Sequence, residues 1–189
     1  MNTTTVLVEH LLSGVQAFIW FVLITLSIFG FDWIHPESFK GFEAFLSFGS
    51  LAIIYPLGVF MDNLSDTILS KRVKKIKCSY IKNEKLGVGY ILDKASEPLT
   101  EYFTYTRMRI RISRVTFLNF IFITITLVIF TMTRLQNVAG DSLAFILFWE
   151  IITGLFITVF AFWNWNEITN NYYKKAAKEI DKLGLDKVG

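Results

Sequence analysis

Four apolar runs of about 20 residues dominate the sequence, at about 11–34, 42–61, 115–133 and 142–163. At a helical rise of about 1.5 Å per residue, one such run covers the roughly 30 Å of hydrocarbon in a bilayer. Lipid offers a bare backbone no hydrogen bonds, so each run must satisfy its own amides as a helix, or its neighbour's in a closed barrel. No segment has the roughly ten-residue apolar/polar alternation of barrel strands. The fold expected is all-α: an integral membrane four-helix bundle in a single domain, with cytoplasmic helical segments at about 62–114 and 164–189.

Composition agrees with membrane insertion. Of the 189 residues, 53% are hydrophobic and 19% charged, with a mean hydropathy of +0.46, whereas soluble domains carry about 25% charged residues. The first run reads as a retained span rather than a signal peptide. No Lys or Arg precedes it, no A-x-A site follows it, and its apolar stretch exceeds the roughly 7–15 residues of a signal core.

Orientation follows from the basic residues, because Lys and Arg in short flanking loops resist translocation. Of the 19, the segment between the second and third runs holds 12, from Lys71 to Arg114, and the tail holds five, from Lys174 to Lys187. Only Lys40 and Arg134 fall on the other side. Both termini and the long middle segment are therefore expected in the cytoplasm of a bacterial inner membrane, with short outer loops near 35–41 and 134–141. Nothing breaks the second helix before Cys78. Gly87, Gly89 and Pro98 are expected to mark turns, a helix to resume near Thr100, and Gly184 to stop the last one.

Ionisable groups at the edge of a span are costly and become site candidates. Glu9 and His10 precede the first run, Asp62 and Asp66 follow the second, Arg107, Arg111 and Arg114 precede the third, and Asn164, Asn166 and Glu167 follow the fourth. In the orientation above, all of these lie at the cytoplasmic boundary. The spacing of four between Asp62 and Asp66, and of four and three along Arg107, Arg111 and Arg114, puts each set on one helix face. Arginine remains charged and offers carboxylates a two-pronged fork. Three readings stay open for this layer: fixing the packing and depth of the bundle, binding a phosphate-bearing ligand or partner, and contacting lipid headgroups.

Glu150 differs, lying eight residues inside the fourth run and so about 12 Å from its outer end. With no Lys or Arg at that depth, it is expected to be protonated, hydrogen-bonded to a hydroxyl such as Thr126, Ser50 or Thr25, or facing water in a pore or proton relay. Small residues at Gly49-Ser50 and Thr153-Gly154, followed by Thr158, would allow close helix approach. Pro56, with Gly58 just after it, is expected to kink the second helix.

Most chemistries lack their parts. A single cysteine, Cys78, excludes an intrachain disulfide or a thiolate zinc site, and with His10 and His35 as the only histidines a His-rich metal site is excluded too. There is no H-E-x-x-H, G-x-S-x-G, P-loop or G-x-G-x-x-G, and no histidine follows the arginines as a HEPN-type ribonuclease requires. The spacing Gly58-x3-Asp62-x3-Asp66 matches the last third of the CDP-alcohol phosphotransferase motif, but Pro36–Gly49 supplies none of the aspartates and arginine that should come before it. The chain is read as no enzyme, with no cofactor and no metal.

The stretch Tyr55-Pro-Leu-Gly58-Val-Phe-Met-Asp62-Asn-Leu-Ser-Asp66, taken with Arg107-Met-Arg109-Ile-Arg111-Ile-Ser-Arg114 and Asn119, resembles a loosely defined group of small bacterial four-helix membrane proteins. Some proteins of that kind are accessory proteins of RNA-targeting CRISPR or other antiphage systems. The resemblance covers roughly the first three spans and implies a defence role at the membrane. The expected function is an oligomeric inner-membrane accessory or effector protein that alters membrane permeability when a cytoplasmic signal engages its basic inner face. The alternatives are a proton- or ion-coupled transporter or channel using Glu150, and a structural adaptor. Expected partners are membrane lipid, further copies of the chain, and a cytoplasmic protein or nucleoprotein.

Overall fold

The computed structural model describes residues 3–31, 43–81, 89, 92 and 96–182, and these are helical almost throughout, with no strand among them. Helix α1 is Thr3–Phe29, α2 is Glu43–Tyr80 and α3 is Glu97–Phe130. A π-helical turn, Thr131–Leu135, leads into the short α4, Gln136–Ala139, and a 3-10 turn, Gly140–Ser142, before α5, Leu143–Lys182. The outer loop expected around His35 and Lys40, the turn expected at Gly87 and the tail from 183 lie outside the described residues.

Three continuous helical stretches are long and apolar enough to cross a membrane: Val6–Phe29, Phe48–Tyr80 and Glu97–Lys182. The last doubles back on itself. Gly140 has φ +48°, a backbone state that side chains resist, and beyond it α5 returns along α3. Thr131 meets Glu150, Phe117 meets Phe162, Ser113 meets Asn164 and Phe103 meets Tyr172, an antiparallel register along the whole pair.

α1, α2 and α3 share a core of Ala17, Met61, Val115 and Leu118, with Trp20, Leu57 and Phe122 against it. α1 and α2 cross backbone to backbone. A Cβ on Gly14 would collide with the Ile54 carbonyl, and one on Gly58 with the His10 carbonyl. The close approach expected at Gly49 is not there, since that glycine faces open space, whereas Gly154 does press on the Thr124 side chain. α2 runs unbroken through Pro56.

Beyond the charged end of the bundle, α2, α3 and α5 continue together, sealed by Ile81, Phe103, Tyr172, Ala176 and Ile180. α3 begins at Glu97, earlier than expected, because Pro98 sits in its first turn behind Ser96 rather than in a loop. Proline is at home there, since the amide it lacks would have had no intrahelical acceptor. At the far end, Gly30 (φ +76°) ends α1. Arg134 caps the helix, donating from Nε to the Ser27 carbonyl at 3.0 Å and from Nη2 to the Ile28 carbonyl at 2.6 Å. A cation there also meets the negative end of the helix dipole.

A candidate charged site where three helices meet

The acidic pair of α2 and two of the three predicted site arginines of α3 meet face to face. Arg114 donates from Nη2 to Asp62 Oδ1 at 2.9 Å and from Nη1 to Asp66 Oδ1, while Arg111 donates from Nη2 to Asp62 Oδ2. Arg111 also reaches α1. Its Nη1 lies 3.0 Å from Glu9 Oε2, an ion pair whose geometry falls short of a hydrogen bond. Charge thus alternates along Glu9, Arg111, Asp62, Arg114 and Asp66, spanning three helices. Glu9, Asp62 and Arg114 are buried, and the network gives these costly charges their compensation.

Burial grades the network. The Asp66 side chain is 71% exposed and that of Arg114 only 9%. Burial pushes the Asp62 carboxyl up, but hydrogen bonds from Arg111 and Arg114 outweigh it and hold it below its ordinary value. At Glu9 burial prevails over the pull of Arg111, and the carboxyl is raised. Both residues lie just outside their apolar runs.

The other predicted members take different places. The buried His10 packs its ring edge-on to Tyr55, with centroids 5.8 Å apart. Arg107 is exposed one turn before Arg111 and has no ion pair among the described residues. Glu167 is exposed and makes no ion pair or side-chain hydrogen bond among the described residues, so it is not brought into the layer as the sequence led one to expect. Its place on α5 falls to its neighbours. Asn166 accepts from Arg72 Nε at 3.3 Å and Nη2 at 3.1 Å, Asn164 donates to Ser113 at 3.3 Å, and Arg72 stacks 4.7 Å over the Phe162 ring. A helix turns by about 100° per residue, so the residue after Asn166 points away from that contact.

A pocket of about 470 Å³ opens between α3 and α5 around Glu150, and one of about 550 Å³ adjoins the charged network. The second is lined by Lys77 and Asp66 of α2, Arg107, Arg111 and Arg114 of α3, and Thr169, Tyr172 and Tyr173 of α5. Burial pushes the Tyr172 hydroxyl up to about 12 and raises that of Tyr173, so both stay neutral proton donors at physiological pH. Among the described residues no group of three His, Cys, Asp or Glu is arranged to hold a metal ion.

One turn and a half deeper, by about 7.5 Å of rise, lies a cluster that a search for ionisable groups passes over. Asn119, fully buried, donates to the Ser13 carbonyl at 3.0 Å and to Gln16 Oε1 at 3.3 Å, and accepts from Trp20 Nε1 at 3.2 Å; Thr116 also donates to Gln16 at 3.2 Å. The signal was present in the sequence as the two amide side chains inside apolar runs. In the other half of the bundle, Glu150 Oε1 accepts from Thr131 Oγ1 at 2.7 Å. Thr126 and Thr25 instead donate to carbonyls of their own helices, so neither is the partner expected for Glu150. Thr131, the fully buried first residue of the π turn, takes that place. Glu150 Oε2 is buried with no hydrogen-bond partner among the described residues.

No protein-family model, curated protein or solved structure matches this chain. The residues and their geometry carry the functional reading.

Proposed function

We propose that the chain is a four-span bacterial inner-membrane protein with both termini and the α2–α3 extension in the cytoplasm, the α3–α5 hairpin crossing twice. Its outward faces support this, since Phe145, Phe148, Phe156 and Phe160 on α5 are exposed over a stretch that would face lipid. Cys78, exposed on the extension and the only cysteine, tests the topology without any substitution. A membrane-impermeant maleimide should label it only in inverted or permeabilised membranes. Labelling in intact cells would reverse the orientation.

In function the protein is an oligomeric accessory or effector of a defence system, altering membrane permeability when a cytoplasmic signal engages its charged inner face. The observation that carries this reading is the pocket of about 550 Å³ beside the network that ties α1 to α2 and α3. A signal bound there touches α2, α3 and α5 directly and α1 through the Arg111–Glu9 ion pair. The defence role rests on the resemblance of the 55–66 and 107–114 stretches. Proteoliposomes carrying the purified chain and loaded with a self-quenching dye test it: release that rises with the co-encoded cytoplasmic components supports the reading, and intact vesicles under every such condition overturn it.

One observation favours a second reading, a proton- or ion-coupled channel or transporter. Among the described residues Glu150 Oε2 has no hydrogen-bond partner beside the 470 Å³ pocket between α3 and α5. Flux at two pH values for wild type and Glu150→Gln separates the two, because the substitution keeps shape and hydrogen bonding but removes the titratable charge. Identical flux and pH response in both proteins would exclude this second reading.

A further inference from the structure

Resting on the reading of the charged end as the face that receives a signal, we infer that the 550 Å³ pocket binds a phosphate group, carried by an anionic lipid headgroup or by a small free phosphate compound, and that Asp66 is the carboxylate it displaces.

Lys77, Arg107, Arg111 and Arg114 line the pocket against the carboxylates of Asp62 and Asp66, with Glu9 joined behind through Arg111. Among the described residues Arg107 is the one of these three arginines that pairs with no carboxylate. It lies one turn from Arg111 on the same face of α3, so the two guanidiniums present a ladder of donors along one wall. Arginine forks match the several oxygens of a phosphate, whose charge of up to about −2 exceeds that of any carboxylate. The opposite wall, on α5, carries the neutral hydroxyls of Tyr172 and Tyr173. A chamber of this size between helices takes a headgroup or a mononucleotide-sized molecule, not a nucleic-acid duplex.

Two details single out Asp66. Its side chain is 71% exposed, while the guanidinium it pairs with belongs to a side chain only 9% exposed, so a buried cation is closed off by a carboxylate that solvent reaches freely. The buried Nε of Arg114 also has no hydrogen-bond partner among the described residues, so among these this guanidinium's donors are not all used. A phosphate held by Arg107 can take over Arg114 Nη1 from Asp66, while Asp62 keeps Nη2. The exchange removes one of two anchors of α2 on Arg114, ten residues past Pro56, at the junction of the apolar run and the extension. Both phosphate sources reach this place: lipid headgroups lie at the boundary, and the pocket opens beside the extension.

The full chain in phosphatidylcholine nanodiscs, titrated with inorganic pyrophosphate at constant ionic strength and followed by calorimetry, tests the free source. Nanodiscs containing phosphatidylglycerol, with retained lipid counted by native mass spectrometry, test the headgroup. One of the two probes should bind. Arg107→Ala should weaken it about tenfold, the loss of one charge-assisted hydrogen-bonding group, and Asp66→Asn should tighten it on the order of fivefold by removing the competing charge. Arg107 and Asp66 are both exposed, so the two variants keep the fold; circular dichroism checks this, and Lys77→Ala provides a third variant. Binding of pyrophosphate assigns a free phosphate, and retention of phosphatidylglycerol alone assigns the headgroup. Failure of both probes, or unchanged binding in Arg107→Ala and Asp66→Asn, overturns the inference. Dye release without phosphate binding overturns this inference alone, and binding without release overturns only the permeability reading.

Discussion

At the charged end, Glu9, Asp62, Arg111 and Arg114 come from three helices and Arg111 and Arg114 each find two carboxylates; toward the far end Glu150 finds one hydroxyl, Thr131, and leaves an oxygen unpartnered among the described residues. Both places hold groups that are expensive in or near lipid. They differ in how much structure depends on each member. In the network, removing one residue leaves a charge stranded among the rest; around Glu150, removal leaves a hydroxyl that can turn back to a carbonyl of its own helix. The charged end therefore fixes the arrangement of α1, α2 and α3, whereas the Glu150 contact fixes only the α3–α5 hairpin locally.

The largest effect is expected at Asp62. Asp62→Ala removes the carboxylate that the buried Arg114 shares with Arg111, leaving Arg114 only the exposed Asp66 and Arg111 only Glu9, and should cost about 3–5 kcal/mol, seen as reduced folded yield and earlier unfolding in nanodiscs. A cost no greater than that of Glu150→Leu would erase the contrast between the two ends. Glu150→Leu comes next: it leaves Thr131 without its acceptor and should cost about 1–3 kcal/mol, while Glu150→Gln keeps the contact and should melt close to wild type. Loss of assembly in both variants would mean that this end is as tightly specified as the other.

Arg134→Ala is smaller, about 0.3–1 kcal/mol, the worth of a cation at a helix C-terminus, and hydrogen exchange should report it as fraying of α1 near Ser27 and Ile28. The smallest effect concerns pH and sharpens the picture within the network. Because burial raises the Glu9 carboxyl in the folded state, its contribution is full below the ordinary value of 4.5 and is lost as pH rises through the folded value. Glu9→Gln does not titrate, so its stability relative to wild type should climb from pH 4.5 upward and then level off; a flat difference would place Glu9 in an environment no drier than water. Asp62 runs the other way: its stabilisation is present above 3.8 and disappears as pH falls through its lowered value.

Much of this was legible in the sequence, for reasons that particular residues make plain. Apolar runs too long for a soluble core foretold the long helices, and spacings of three and four foretold that Asp62, Asp66, Arg111 and Arg114 would share faces. That these faces meet follows only from the register of α2 against α3, which spacing within one helix does not report, just as it does not report that Gly14 and Gly58 let α1 and α2 touch at the backbone. No pattern in one chain says which glycine faces a neighbour, and so Gly49 was expected to pack where Gly58 does. The same ignorance of register hid Thr131 as the partner of Glu150, since the π turn there departs from the 3.6-residue repeat on which depth was reckoned. Glu167 was misplaced because sitting at the boundary does not fix which way a side chain points.

A double-mutant cycle across Asp62 and Arg114 tests the central claim, that the charged end is one coupled unit joining α2 to α3. Unfolding would be followed in nanodiscs for wild type, Asp62→Ala, Arg114→Ala and the double variant. The expected result is that the double variant loses less than the two singles together, by a coupling of about 1–3 kcal/mol. Losses that add to within roughly 0.5 kcal/mol would show the two residues acting independently, and the charged end would then be a set of separate boundary charges rather than a network.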